Sequence, residues 1–79
     1  MGVTEDLADA LARDTIAAMD KVDDDFLIAK VAKELGATST TIEEAYLTAT
    51  RVRLAEKRAR AFLMDKLRTA VKAEPKPPK

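Results

Sequence analysis

Apolar side chains recur along most of this chain at spacings of three and four, the period of helices that each bury one side. The first stripe is Leu7, Ala8, Leu11, Ala12, Thr15, Ile16, Met19 and Val22. It predicts a helix over about residues 5–21, with Thr4 as N-cap and Glu5 and Asp6 at the positive end of the helix dipole. Asp9 and Arg13 are expected to pair one turn apart on its outer side. A second stripe of Leu27, Ile28, Val31, Ala32 and Leu35 predicts a helix over about 24–35. One of Asp23, Asp24 and Asp25 is expected to cap it, and Gly36 to close it in the left-handed conformation. Thr40-Thr41-Ile42-Glu43 reads as a capping box, and no proline follows before Pro75. A third helix is therefore expected over about residues 41–72, on the order of 45 Å long at a rise of ~1.5 Å per residue.

That third helix is apolar on two sides. At about 100° per residue, Ile42, Ala45, Ala49, Val52, Ala55, Ala59, Leu63, Leu67 and Ala70 share one broad face, taken as the core side. Leu47, Leu54 and Ala61 lie opposite, with Tyr46, Phe62, Met64 and Val71 at the flanks. Two shorter helices can cover one face of such a rod but hardly both. The expectation is an all-α, three-helix protein whose two shorter helices pack on the long one and which self-associates, a dimer being favoured. Leu47, Leu54, Ala61 and Met64 would form the seam, with Phe62, Leu63 and Leu67 closing its far end. Glu56, inside the broad stripe, is expected to pair with Arg53 or Arg60, or to set register in the seam.

Composition agrees with helix and narrows the chemistry. Of 79 residues only 2 are glycine and 3 proline, while 35% are charged, so a sheet-based fold is improbable. The chain holds no cysteine and no histidine. Disulfides, zinc-thiolate sites and cysteine nucleophiles are thereby excluded, and the usual general base at neutral pH is missing. Ser39 is the sole serine and has no histidine to take its proton. Asp23, Asp24 and Asp25 do not form a calcium loop, because Leu27 and Ile28 would fall at the fifth position and at the turn glycine. Neither a catalytic centre nor a metal or other cofactor is expected.

Charge is balanced overall but unevenly placed. Residues 1–40 carry nine acidic and four basic side chains, residues 41–79 five acidic and ten basic. Copies that pair would do so head to tail or antiparallel. The acidic start has no apolar signal region and the longest apolar runs are four residues, so a cytoplasmic protein that does not enter membranes is expected. Residues 1–72 form the expected domain, and 73–79, rich in proline and lysine, a disordered tail.

One segment carries a family resemblance. In residues 28–47, Ala32, Gly36 and Ile42 stand at the spacing of a tightly packed alanine, a turn glycine and an inward branched residue, flanked by Val31 and Leu35. This segment resembles the helix-turn-helix of small bacterial and phage regulators. The resemblance implies that Thr38, Ser39, Thr40, Glu43 and Glu44 face the major groove. That set lacks the arginine, asparagine or glutamine that reads bases best. A second route to nucleic acid runs along helix 3, where Arg51, Arg53, Lys57, Arg58, Arg60, Arg68 and Lys72 circle the rod. The sequence therefore favours a non-catalytic interaction or regulatory protein that self-associates through its long helix and binds another macromolecule, with a protein as the expected partner. The alternative is a helix-turn-helix DNA binder, such as a small repressor or, by architectural analogy, a phage terminase small subunit.

Overall fold

A computed structural model describes residues 2–73, and among these it contains three helices and no strand. Helix α1 spans Val3–Val22, α2 Leu27–Gly36 and α3 Thr40–Ala73. The two shorter helices pack on α3 and on each other, α1 making the more extensive contact with the rod. At about 1.5 Å per residue, α1 is roughly 30 Å long, α2 15 Å and α3 51 Å. The mismatch in length leaves part of α3 without a helix to pack against. Helix α3 runs without a break, and its last residue, Ala73, falls where the tail was expected to begin. The rest of the expected tail, 74–79, lies outside the described residues.

The ends of the helices differ from expectation in instructive ways. Helix α1 begins at Val3 with Gly2 as N-cap, so Thr4 lies inside the first turn. Its C-cap is Asp23, in the left-handed region at φ 53°, with its N–H donated to the Met19 carbonyl at 2.9 Å. Aspartate tolerates that conformation better than most residues. Helix α2 starts three residues later than expected because Asp24 makes a turn of its own. Its carboxylate accepts the Phe26 N–H at 2.9 Å and the Lys30 ammonium at 2.8 Å. Those two bonds, Lys30 first, hold the Asp24 carboxyl below its usual pKa.

Gly36 is not left-handed; no glycine among the described residues has positive φ. It is the last residue of α2, followed by Ala37 in right-handed helical geometry. What its missing side chain permits is a close approach: a Cβ there would stand 2.6 Å from Oε1 of Glu43. The N-cap of α3 is Ser39, one residue before the expected box, its hydroxyl accepting the Ile42 N–H at 3.3 Å. Glu43 is thus displaced from the capping position and leans over Gly36 instead.

The core is small and one-sided. Ala8, Ala12, Ala32 and Tyr46 are its buried apolar members, with Leu11, Ile28, Val31, Leu35, Ile42, Ala45, Leu47 and Ala49 packed around them. Ala8, Ala12 and Thr15 form a stripe of small buried residues on α1, which lets the helix lie close to α3 and leaves room for one large ring. Tyr46 fills that room at 0% exposure. The sequence pattern alone places it at a flank of the rod. The buried face of α3 is Ile42, Ala45, Tyr46, Ala49 and Thr50, while Val52, expected inside, is 62% exposed. Thr50 can be buried because its hydroxyl donates to the Leu47 carbonyl at 2.8 Å, and Thr15 does the same to Leu11 at 2.8 Å. The Tyr46 hydroxyl is buried without a hydrogen-bond partner. Burial pushes its pKa up; the Thr15 hydroxyl, already donated to the Leu11 carbonyl, opposes this in part without meeting the geometry of a hydrogen bond to Tyr46.

Candidate interaction site

Burial on α3 stops abruptly. Arg53 and Leu54 are the last half-buried residues, and every residue from 55 to 72 is exposed. At about 1.5 Å per residue this bare arm projects roughly 27 Å beyond the packed body. It is helical throughout and amphipathic. Ala59, Leu63, Met64, Leu67, Ala70 and Val71 fall within an arc of about 140°. Leu63, Met64, Leu67 and Val71 are 51%, 49%, 52% and 74% exposed. The stripe continues the side of α3 that carries Val52 and Glu56.

The residues expected in a seam therefore divide. Leu47 and Leu54 are half-buried in the body, Leu47 against the core, and offer little free surface. Ala61, Phe62, Met64 and Leu67 are on the bare arm. Phe62 lies away from the main stripe with the Lys66 ammonium 5.5 Å from its ring centroid. Met64, Leu67 and Val71, with Arg68 and Lys72 beside them, line a shallow depression of about 380 Å³. Glu56, near the root of the stripe, is held by Arg60 at 2.6 Å.

The basic residues also divide. Arg53 is committed to Asp9, which receives Nε at 2.6 Å and Nη2 at 2.8 Å in a two-pronged clamp between α3 and α1. Asp9 was expected to pair with Arg13, which turns to Asp14 at 3.1 Å instead. The Arg53 hydrogen bonds pull the Asp9 carboxyl below its usual pKa against a smaller desolvation penalty, and the same bonds raise the pKa of Arg53. Arg60 is occupied by Glu56. Arg51, Lys57, Arg58, Arg68 and Lys72 fall within an arc of about 120°. Arg51 and Arg58 lie on the side away from the apolar stripe, Lys57 borders a groove between α1 and α3, and Arg68 and Lys72 border the apolar depression. Asp65 interrupts the row and approaches Arg68 at 3.4 Å.

The corner that resembles a helix-turn-helix is formed by α2, residues 37–39 and the start of α3, with Ala32 buried and Ile42 half-buried. Its hydroxyls are largely engaged at home: Ser39 caps α3, and Thr38 donates to the Leu35 carbonyl at 3.4 Å. Thr40 is exposed, as is Glu44 beside it.

A groove of about 550 Å³, absent from the sequence expectations, lies between α1 and α3. Ile16, Ala17 and Val52 supply its apolar surface, and Arg13, Asp20, Glu56, Lys57 and the Asp9–Arg53 clamp its rim. The pairing that shapes it joins residues 44 apart in sequence, and only the excess of acids in α1 and bases in α3 hinted at it. Among the described residues no group of carboxylates comes together to hold a metal ion, and no helix is long and apolar enough to cross a membrane. Comparison with protein-family models, curated proteins and solved structures finds no match to this chain.

Proposed function

We propose that this protein is a non-catalytic helical interaction module that self-associates through the projecting half of α3 and, so assembled, binds another macromolecule. The observation that carries the reading is the arm itself. Residues 55–72 are exposed throughout, yet Phe62, Leu63, Met64, Leu67 and Val71 are all on it, each at least 49% exposed. Most helical stability in proteins comes from tertiary packing of an apolar side, and within one chain this side has nothing packed on it. Contiguous apolar surface of this kind is a hallmark of association.

The test is mass in solution. The unaltered chain is expected to be a dimer by light scattering, and Leu63→Asp/Leu67→Asp a monomer with an intact cooperative melt, because neither side chain touches the core. A monomeric parent chain, or a double variant of unchanged mass, overturns the reading. Leu54, half-buried in the body, is a poorer probe of the seam than these two.

A second reading, DNA binding, draws on the basic residues of α3, of which Arg51 and Arg58 face away from the apolar stripe. In a dimer joined through that stripe Arg51 and Arg58 would point outward, where phosphates could reach them. It would appear as low-salt binding whose salt dependence falls by about one to two counterions when Arg51 and Arg58 are neutralised. Absence of binding at about 50 mM salt would remove it.

A further inference from the structure

We infer that the receptor for the arm is the α1/α3 groove of a second copy, so that two chains exchange arms in an antiparallel dimer; this rests on the self-association proposed above and adds where the arm goes. The groove wall and the arm stripe belong to one unbroken helix and one side of it: Val52 and Glu56 at the groove, Leu63 and Leu67 farther out. Val52 and Leu67 are separated along a stiff rod by about 22 Å at 1.5 Å per residue. The arm therefore cannot fold back into its own groove. Two copies with their α3 helices facing and antiparallel bring each Leu63–Leu67 segment onto the other's Val52, about a two-fold axis near residue 60. Both contacts are then formed by the same operation, the isologous arrangement that closes a dimer.

Charge selects the same occupant. Residues 55–72 carry six basic side chains (Lys57, Arg58, Arg60, Lys66, Arg68, Lys72) against two acidic (Glu56, Asp65). Helix α1, which forms the other wall, carries five acidic against two basic. An arm laid on a second arm alone would set like charge on like. The groove lining itself balances Asp9, Asp20 and Glu56 against Arg13, Arg53 and Lys57, so the attraction comes from the acidic excess of α1 as a whole. Ala17 is exposed there, leaving open apolar surface beside Val52.

The absence of native cysteine makes the geometry directly testable. Val52→Cys and Leu67→Cys chains, each prepared separately, are mixed and treated with a short bis-maleimide. The expected result is cross-linked heterodimer in the mixture, several-fold above either variant alone, since in this dimer identical positions are about 22 Å apart. Leu67→Cys cross-linking to itself as fast as to Val52→Cys overturns the groove and leaves an arm-to-arm seam. No cross-link from chains of dimeric mass also overturns it, while monomeric mass overturns the self-association beneath it. As a second arm, Ala17→Arg places bulk and positive charge in the groove at an exposed position. It is expected to weaken dimerisation at least tenfold with the helical signal unchanged; unaltered dimerisation counts against the groove.

Discussion

The two halves of α3 have the same helical geometry and comparable apolar content, yet one is the centre of the core and the other is bare. Residues 40–54 contribute Tyr46 and Thr50, both essentially inaccessible, whereas 55–72 contribute no buried residue at all. The difference does not lie in hydropathy, because Leu63, Leu67 and Val71 are greasier than Ala45, Ala49 or Thr50. It lies in reach: α1 and α2 extend about 30 Å and 15 Å against a rod of roughly 51 Å. A helix face is buried when a partner is long enough to stand opposite it, whatever its composition.

The largest break in this contrast is expected at Tyr46. Replacing it by alanine leaves a cavity among Ala8, Ala12 and Ala32 and should cost about 3–5 kcal/mol, most of the stability of so small a core. Loss of the cooperative thermal transition by circular dichroism checks this. The arm substitutions should leave that transition in place, and equal loss in both halves would erase the distinction drawn here.

Next comes the clamp at the boundary. Asp9→Asn should lower the melting temperature at neutral pH, and the effect has a definite pH sign. The folded-state pKa of Asp9 lies below its ordinary 3.8, so the stabilisation is present above that value and disappears as pH falls through the lower folded value. Melting curves of the two proteins should therefore converge in strong acid. Persistent separation there would assign the clamp's effect to packing and not to charge.

Two smaller effects sharpen the picture. Gly36→Ala should be tolerated, and can gain up to about 1 kcal/mol of helix propensity, because the glycine is not left-handed and the obstructing Glu43 carboxylate ends a flexible side chain. A loss well beyond 1 kcal/mol in denaturant unfolding would show that Glu43 cannot move aside. Tyr46→Phe removes a buried hydroxyl that has no partner, so stability should change by less than about 1 kcal/mol or rise slightly.

The three helices and the unbroken rod were legible in the sequence, since both rest on local periodicity or on a missing breaker. The phase of the buried face was not. A single wheel drawn over all of α3 averages a packed half with a bare one and so places Val52 inside and Tyr46 at the edge. Tyr46 is buried because α1 offers alanines where another helix would offer leucines, and that pairing is invisible until the two helices are side by side. Thr50 is buried because its hydroxyl bonds its own backbone, which hydropathy does not register. The caps slipped by one to three residues for a similar reason: Ser39 and Thr40 are both good caps, and tertiary packing chose between them. The Asp9–Arg53 pair, like the groove beneath it, is nonlocal, and local spacing instead pointed Asp9 at Arg13.

The clamp's position also has a mechanical consequence. Arg53 makes the last hydrogen bonds from α3 to the body, one residue before Leu54, the last half-buried side chain, so the bare helix beyond is a lever whose pivot includes a guanidinium–carboxylate contact. A tilt of about 5° there swings the far tip by roughly 2.5 Å over twenty residues of 1.5 Å rise. Adjustments too slight to disturb the core are thereby magnified at the tip, and the aim of the lever is set by chemistry at its pivot.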